Sequence, residues 1–162
     1  MTPIALLRGT AAALMLATLP MAQALAGDDA DDAARDIFRQ VEKACPVGAN
    51  GTPYNLATIA ATYFVDDLRV QLDHAYANHA LEFDILIDAQ DCEIPDVDLD
   101  EVGDDDDHRG QMIVRAKFDN FGEPRVVDLV MVRQAKEWKV ADVVYRHRDW
   151  SLRRDLEVAG GK

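Results

Sequence analysis

The clearest structural pattern in the chain lies in residues 112–145, which read MIVRAKFDNFGEPRVVDLVMVRQAKEWKVADVVY. Apolar side chains occupy every second position from residue 112 to residue 118, which predicts a strand with one buried face. We expect turns at 120–124 and 134–137, a more continuously apolar strand at 126–133, and a last strand at 138–145. Strands joined in sequence by short turns form an antiparallel meander. Val97 and Leu99 are expected to add a fourth strand before it.

The sequence before the sheet predicts helices. Apolar residues recur every four positions over residues 31–45, which makes one helical stripe, and a cluster of Pro, Gly and Asn at 46–51 ends it. A second helical region covers residues 53 to about 80, with Thr52 as its N-cap. Its apolar stripe shifts near Asp66, so we expect two helices there. Helices followed by an antiparallel sheet predict an α+β fold.

The N-terminal 26 residues predict a cleavable signal peptide. Arg8 is their only charge, an apolar stretch covers residues 11–19, Pro20 interrupts it, and small residues alternate at 22–26. A membrane anchor is the alternative, but so short an apolar stretch does not span a bilayer stably. We therefore expect a periplasmic or secreted protein with no membrane span after processing.

The chain is strongly acidic. Its formal net charge is −13, and cleavage of the signal peptide removes one arginine and no acid, which leaves −14. Such a charge repels nucleic-acid phosphates and anionic lipid headgroups. We therefore expect no nucleic-acid partner, and electrostatics favours a basic protein partner or a cation.

The chain has two cysteines, Cys45 and Cys92, both in the exported part. An even number of cysteines in an oxidising compartment favours one disulfide, with two buried free thiols as the alternative. A bridge that closes so long a loop stabilises a domain by about 4 kcal/mol in the chain-entropy model.

Three segments carry a resemblance to a known family. They are FDILIDAQD at residues 83–91, EWKVADV at 137–143 and SLR at 151–153. Over roughly residues 55–156 the chain resembles the YbjP/YqhG-type exported bacterial family, a family of unknown function. The resemblance implies a nuclear-transport-factor-2-like cone, in which helices pack on a curved antiparallel sheet and a short C-terminal helix follows. The expected organisation is a signal peptide (1–26), an N-terminal helix and linker (27–52), the cone-like domain (53–158) and a tail (159–162).

The cone implied by this resemblance has a concave pocket between its helices and its bent sheet. Ketosteroid isomerases resemble the same fold, and they use an aspartate base with a tyrosine and a protonated aspartate as hydrogen-bond donors. The corresponding candidates are Asp142, Asp91 and either Tyr63 or Tyr145, and Trp138 completes the predicted pocket. For Asp142 the alternative is a bulge or capping residue whose carboxylate binds backbone N–H groups.

An acidic run at residues 91–107 contains ten acids and no base. Asp96, Asp98, Asp100 and Asp107 match positions 1, 3, 5 and 12 of a calcium-binding loop, but position 6, which requires glycine, is Glu101. On a strand, Asp98 and Asp100 point to the same face. A solvated strand and turn is therefore the alternative to a calcium site.

The sequence contains no recognisable catalytic or cofactor motif. Its four histidines lack the spacing of a zinc site, and there is neither a Gly-x-Ser-x-Gly nucleophile motif nor a phosphate-binding loop. We therefore assign no catalytic residue and expect no cofactor.

Three functions remain open. The first is a noncatalytic envelope protein that binds a small ligand or a protein partner through the cone. The second is an immunity or inhibitor protein, in which the acidic run covers the basic active site of an exported toxin. The third is an isomerase-like enzyme that uses the pocket residues.

Overall fold

The computed structural model describes residues 30–48, 54–103 and 111–159. Its elements in chain order are α1 (Ala30–Ala44), α2 (Leu56–Tyr63), α3 (Asp66–Ala77), β1 (Val97–Gly103), β2 (Gln111–Asn120), β3 (Glu123–Gln134), β4 (Glu137–Tyr145), β5 (Trp150–Ser151) and α4 (Leu152–Ala159). The five strands form one open antiparallel sheet in the order β1-β2-β3-β4-β5. The predicted α+β class and the meander are thus confirmed. The predicted signal peptide lies outside the described residues.

The hairpin between β2 and β3 is tighter than the sequence predicts. Asn120 pairs with Glu123, so the loop contains only Phe121 and Gly122, both with positive φ (52° and 77°). Two residues with positive φ match the right-handed twist of the strands, so pairing resumes at once. Pro124, expected in the turn, therefore belongs to β3.

The second helical region contains two helices, as predicted. The chain between them is extended at Phe64 and Val65, where Phe64 forms a parallel bridge with Val140 of β4 and the Val65 N–H donates to the Val140 carbonyl at 3.0 Å. This contact with the sheet interrupts the helix before Asp66. The N-cap of α2 is Asn55, whose side chain accepts the Thr58 N–H at 3.1 Å.

Two predicted helix ends differ from the structure. Asn55 caps α2, so the prediction of a cap at Thr52, which lies outside the described residues, is wrong. The helix that was expected to reach residue 80 ends at Ala77, because Asn78 caps it and His79 takes a left-handed φ of 55°. Residues 79–96 connect α3 to β1 and contain turns and bends but no helix or strand.

Helix α1 packs on the same hydrophobic core as the rest of the domain. Its Ile37, Phe38 and Val41 are almost fully buried, and the Phe38 ring lies 6.2 Å from that of Phe118 on β2. The disulfide Cys45–Cys92 joins the end of α1 to the segment before β1, with Cα atoms 5.2 Å apart. The predicted pairing is thus confirmed in the structure. Among the described residues, no helix is long and apolar enough to cross a membrane.

The C-terminal helix is attached to a bulge in β4. Val130 of β3 pairs with Asp142 and Met131 pairs with Val140, so Ala141 is an extra residue. The bulge places the Asp142 carboxylate at the start of α4. Leu152 and Leu156 on α4 enter the hydrophobic core.

Candidate functional site

A large cleft lies between α2 and α3. It has a volume of about 600 Å³. We call it the helical cleft, and it is lined by Tyr54, Asn55, Leu56, Ala57, Ala60, Leu72, Asp73 and Tyr76. Its position follows from the break at residues 64–65, which turns one helical region into two neighbouring helices.

A second cleft adjoins the first. It has a volume of about 350 Å³ and shares Leu56 and Tyr76 with the helical cleft. We call it the side cleft, and its other lining residues are Leu81, Glu82, Phe83, Asp84 and Gln90. Because they share these two residues, we describe the two clefts together as one depression, which includes two alanines of α2 and the turn at residues 81–84.

Tyrosine hydroxyl groups hold the turn that borders this depression. The Tyr54 hydroxyl donates to the Asp84 carboxylate, whose other oxygen accepts the Leu86 N–H at 2.8 Å. The Tyr76 hydroxyl donates to the Phe83 carbonyl at 3.0 Å, and the Tyr145 hydroxyl donates to the Ile85 carbonyl at 2.6 Å. The shape of the side cleft therefore depends on three rings that come from distant parts of the chain.

Burial determines the protonation of this network. It raises the pKa of the Tyr54 and Tyr76 hydroxyl groups well above 10, so both remain neutral donors at physiological pH. Burial also raises the pKa of the Asp84 carboxyl, although hydrogen bonds from Tyr54 and from backbone N–H groups oppose the shift. Asp84 is thus a partly desolvated carboxylate whose described partners are all neutral donors.

The structure does not bring the predicted pocket residues together. Tyr63 and Trp138 do meet, in a separate cleft of about 220 Å³ between α2 and the start of β4. Tyr145 is fully buried in the core, and Asp91 is exposed in the loop before β1. Asp142 lies at the start of α4. None of the clefts described here is lined by all five residues, and their role in binding a ligand stays a prediction.

Asp142 takes the role of bulge and capping residue. One carboxylate oxygen accepts the N–H groups of Val143 and Arg153, both at 2.8 Å, and the other accepts the Ser151 hydroxyl. A carboxylate with this many donors is a structural anchor. The environment of Asp142 is therefore that of a bulge and capping residue, the alternative given in the sequence analysis.

The three candidate calcium ligands that the structure describes do not form a metal-binding group. Asp96, Asp98 and Asp100 are exposed, and Asp100 forms an ion pair with Lys117 on the neighbouring strand. Asp107 lies outside the described residues. Within the described ranges no group of three His, Cys, Asp or Glu side chains is arranged to hold a metal ion. Strand β1 presents its carboxylates to solvent instead.

Sequence reasoning missed Tyr54, Tyr76 and Asp84 as site residues. The available signal was Asp84 itself, an acid followed by the apolar residues 85–87 and preceded by Phe83. An acid in such a run must find hydrogen-bond donors when the run is buried. Nothing in the local sequence indicates that the donor is a tyrosine thirty positions earlier. Comparisons with family models, curated proteins and solved structures found no match to this chain.

Proposed function

We propose that the mature domain is an exported, noncatalytic protein that binds a small ligand in the helical cleft. The observation that carries the proposal is the cleft itself, because a volume of about 600 Å³ falls in the range of small-molecule sites. Its lining is mainly apolar, with a few polar groups at the ends. That composition is typical of sites that bind an apolar body and orient it by a small number of polar contacts.

The polar groups at the cleft support binding better than catalysis. The hydroxyl groups of Tyr54 and Tyr76 are committed to Asp84 and to the Phe83 carbonyl, and their raised pKa values make them weak acids. A general acid or base works best with a pKa near the operating pH. Tyr54, Tyr76 and Asp84 stabilise the turn through these hydrogen bonds, and the ligand contacts the aromatic carbon atoms of the two tyrosines.

The proposal includes an exported location and a nuclear-transport-factor-2-like fold of the YbjP/YqhG type. Two features support it: a structural disulfide is typical of an oxidising compartment, and helices precede an antiparallel meander followed by a short helix. In such a cone the interior is expected to be concave. In this chain Tyr145 and the rest of the core fill the space between the sheet and the helices, and the open volume lies between α2 and α3.

The cleft is tested by a matched pair of substitutions on α2. Ala57 and Ala61 are both exposed, and only Ala57 is among the lining residues. We expect Ala57→Phe to fill the cleft and weaken binding of the neutral probe N-phenyl-1-naphthylamine by about tenfold, a loss of about 1.4 kcal/mol. The measurement is fluorescence titration. Ala61→Phe is the control and should bind the probe like the wild type, so equal effects of the two variants would contradict the proposal.

A second candidate function is inhibition of a basic exported toxin. The observation that favours it is strand β1, an edge strand on which Asp98 and Asp100 are exposed and next to which Asp96 is also exposed. Complementary charge accelerates and orients docking of such partners. We expect a stoichiometric basic partner, captured from periplasmic extract, to be lost with Asp96→Lys/Asp98→Lys and retained with Ala57→Phe. Retention with both variants would exclude β1 as the docking surface.

A further inference from the structure

We infer that the ligand of the joined clefts is an amphiphilic organic cation, a protonated or quaternary amine on an apolar body. The inference rests on the proposed function, because it specifies what the helical cleft binds. It follows from one juxtaposition: apolar and aromatic walls whose lining includes three acidic residues, Asp73, Glu82 and Asp84.

The walls define the apolar part of the ligand. Leu56, Ala57, Ala60 and Leu72 provide an aliphatic surface between α2 and α3, and the Tyr76 ring continues it into the side cleft. Burial of apolar ligand surface against such walls is favourable, because it removes that surface from water. An alkyl chain or a small ring system therefore has a place on α2, and its polar end points toward residues 81–84.

The charges define the polar part of the ligand. Asp73 borders the helical cleft, Glu82 and Asp84 border the side cleft, and no Lys, Arg or His occurs among the described lining residues of either. A cation entering here meets three acidic residues and no basic residue in the described lining, whereas an anion is repelled by all three. The net charge of the whole chain, −13, acts in the same direction.

Asp84 and the aromatic rings make the site specific for an organic cation. The carboxylate of Asp84 is partly desolvated without a described cationic partner, so a cation near it recovers electrostatic energy that water supplies poorly there. Tyr54, Tyr76 and Phe83 line the same depression, and a cation over an aromatic face is attracted by the negative potential of the ring face. A weakly hydrated ammonium group with carbon substituents uses both contributions.

The protein already places one of its own cations on the adjoining aromatic surface. The Arg148 guanidinium lies 5.7 Å from the ring centre of Phe83, 5.5 Å from that of Tyr145 and 5.2 Å from that of Trp150, and it also pairs with Asp88. Phe83 belongs both to this surface and to the lining of the side cleft. The rings next to the cleft thus accept a delocalised cation beside a buried carboxylate, which is the chemistry inferred for the ligand.

The test compares three ligands that share one ten-carbon chain. Decyltrimethylammonium, decyl glucoside and decanoate, each below its micelle concentration, are titrated against bound N-phenyl-1-naphthylamine. We expect the cation to displace the probe at a concentration about tenfold lower than the neutral glucoside, with decanoate the weakest of the three. Equal displacement by all three would overturn the cation inference and leave the proposed binding function intact. Failure of the probe to bind at all would overturn the proposed function itself.

Variants decide whether the preference arises in the clefts. Asp73→Asn/Glu82→Gln removes two exposed carboxylates from the lining, and we expect the advantage of the cation over the glucoside to fall about threefold. Asp96→Asn/Asp98→Asn changes the net charge equally at β1 and should keep the full advantage. A loss of the same size in both variants would contradict a specific site. Asp84→Asn, checked for an unchanged melting curve, should reduce the advantage further.

Discussion

Asp128 has no exposed surface, although it carries a formal charge. It lies on β3 directly opposite Arg115 of β2, which donates to both carboxylate oxygens at 2.7 and 2.8 Å, and Arg146 after β4 donates a third bond at 2.5 Å. Burial alone raises the pKa of a carboxyl, but the hydrogen bonds and charges of the two arginines outweigh it, so the pKa of Asp128 is lowered. The charge is therefore a source of stability.

We predict that Asp128→Asn destabilises the domain by about 2 kcal/mol at pH 7, because three charge-assisted hydrogen bonds lose their anion. The measurement is urea unfolding. Since the folded pKa is depressed, this stability is present above the unfolded pKa of about 4 and is lost as the pH falls through the folded value. The difference in the free energy of unfolding between the wild type and the variant should therefore become smaller below about pH 4.

The control for this prediction is Asp100→Asn. Asp100 also pairs with a base across neighbouring strands, but both it and Lys117 are about half exposed. Water screens such a pair, so little change in the unfolding curve is expected. An Asp128→Asn variant as stable as the wild type at pH 7, or a gap independent of pH, would contradict the role given to the buried carboxylate.

At the scale of elements, two connections hold helices to the sheet. The Asp142 carboxylate caps α4, and Arg153 of α4 also forms an ion pair with Asp67 of α3 at 2.7 Å. At the other end of the sheet, the disulfide is flanked by a hydrogen bond from the Ile94 N–H to the Cys45 carbonyl at 2.7 Å. Both terminal helices thus depend on a specific link.

For the first link, Asp142→Ala is expected to reduce the free energy of unfolding by about 1 to 2 kcal/mol, the usual effect of removing an N-cap. Thermal unfolding and probe titration should be measured together. The affinity for the naphthylamine probe should stay that of the wild type, because Asp142 is not part of the helical cleft. If Asp142→Ala lost probe binding without a loss of stability, Asp142 would be a binding residue and the capping role would be contradicted.

For the second link, replacing both cysteines by serine should cost about 4 kcal/mol, since the bridge closes a loop with a sequence separation of 47. Urea unfolding of the oxidised protein, the reduced protein and the double variant measures this. The reduced protein and the variant should agree with each other. Two alkylatable thiols in the unreduced exported protein would show that the bridge does not form.

At the scale of the whole molecule, the net charge of −13 opposes compactness. Several basic side chains are already paired with acids, among them Arg35, Arg115 and Arg153. The excess of acids is concentrated in the region of β1. Self-repulsion there, and its screening by salt, should be measurable.

We predict that the melting temperature rises when sodium chloride is increased from about 10 mM to about 300 mM, because the Debye length falls from about 30 Å to below 10 Å. Differential scanning fluorimetry measures the shift. Asp96→Lys/Asp98→Lys lowers the excess negative charge and should show a smaller rise. A melting temperature that falls with salt would mean that attractive pairs dominate the long-range electrostatics.

Patterns local in the chain predicted the elements well. The alternation at residues 112–118, the shift of the stripe at Asp66 and the short loops of the meander all correspond to observed elements. The exact ends of elements were predicted less well. Asn55 rather than Thr52 caps α2, and Pro124 pairs within the sheet because the neighbouring turn contains only two residues. A periodicity reports which face is apolar but not which partner covers it.

The sequence by itself determined the α+β class, the order of strands, the acidic character and the pair of cysteines available for a bridge. These depend on periodicity, turn residues and composition, which act between neighbours in the chain. The tertiary structure alone decided the site. In the folded chain Tyr145 lies in the core, Asp142 caps α4, and Tyr54 donates a hydrogen bond to Asp84 beside an open cleft. Sequence patterns do not indicate these contacts, because hydrogen-bond partners and cavities arise from residues that are distant in sequence and close in space.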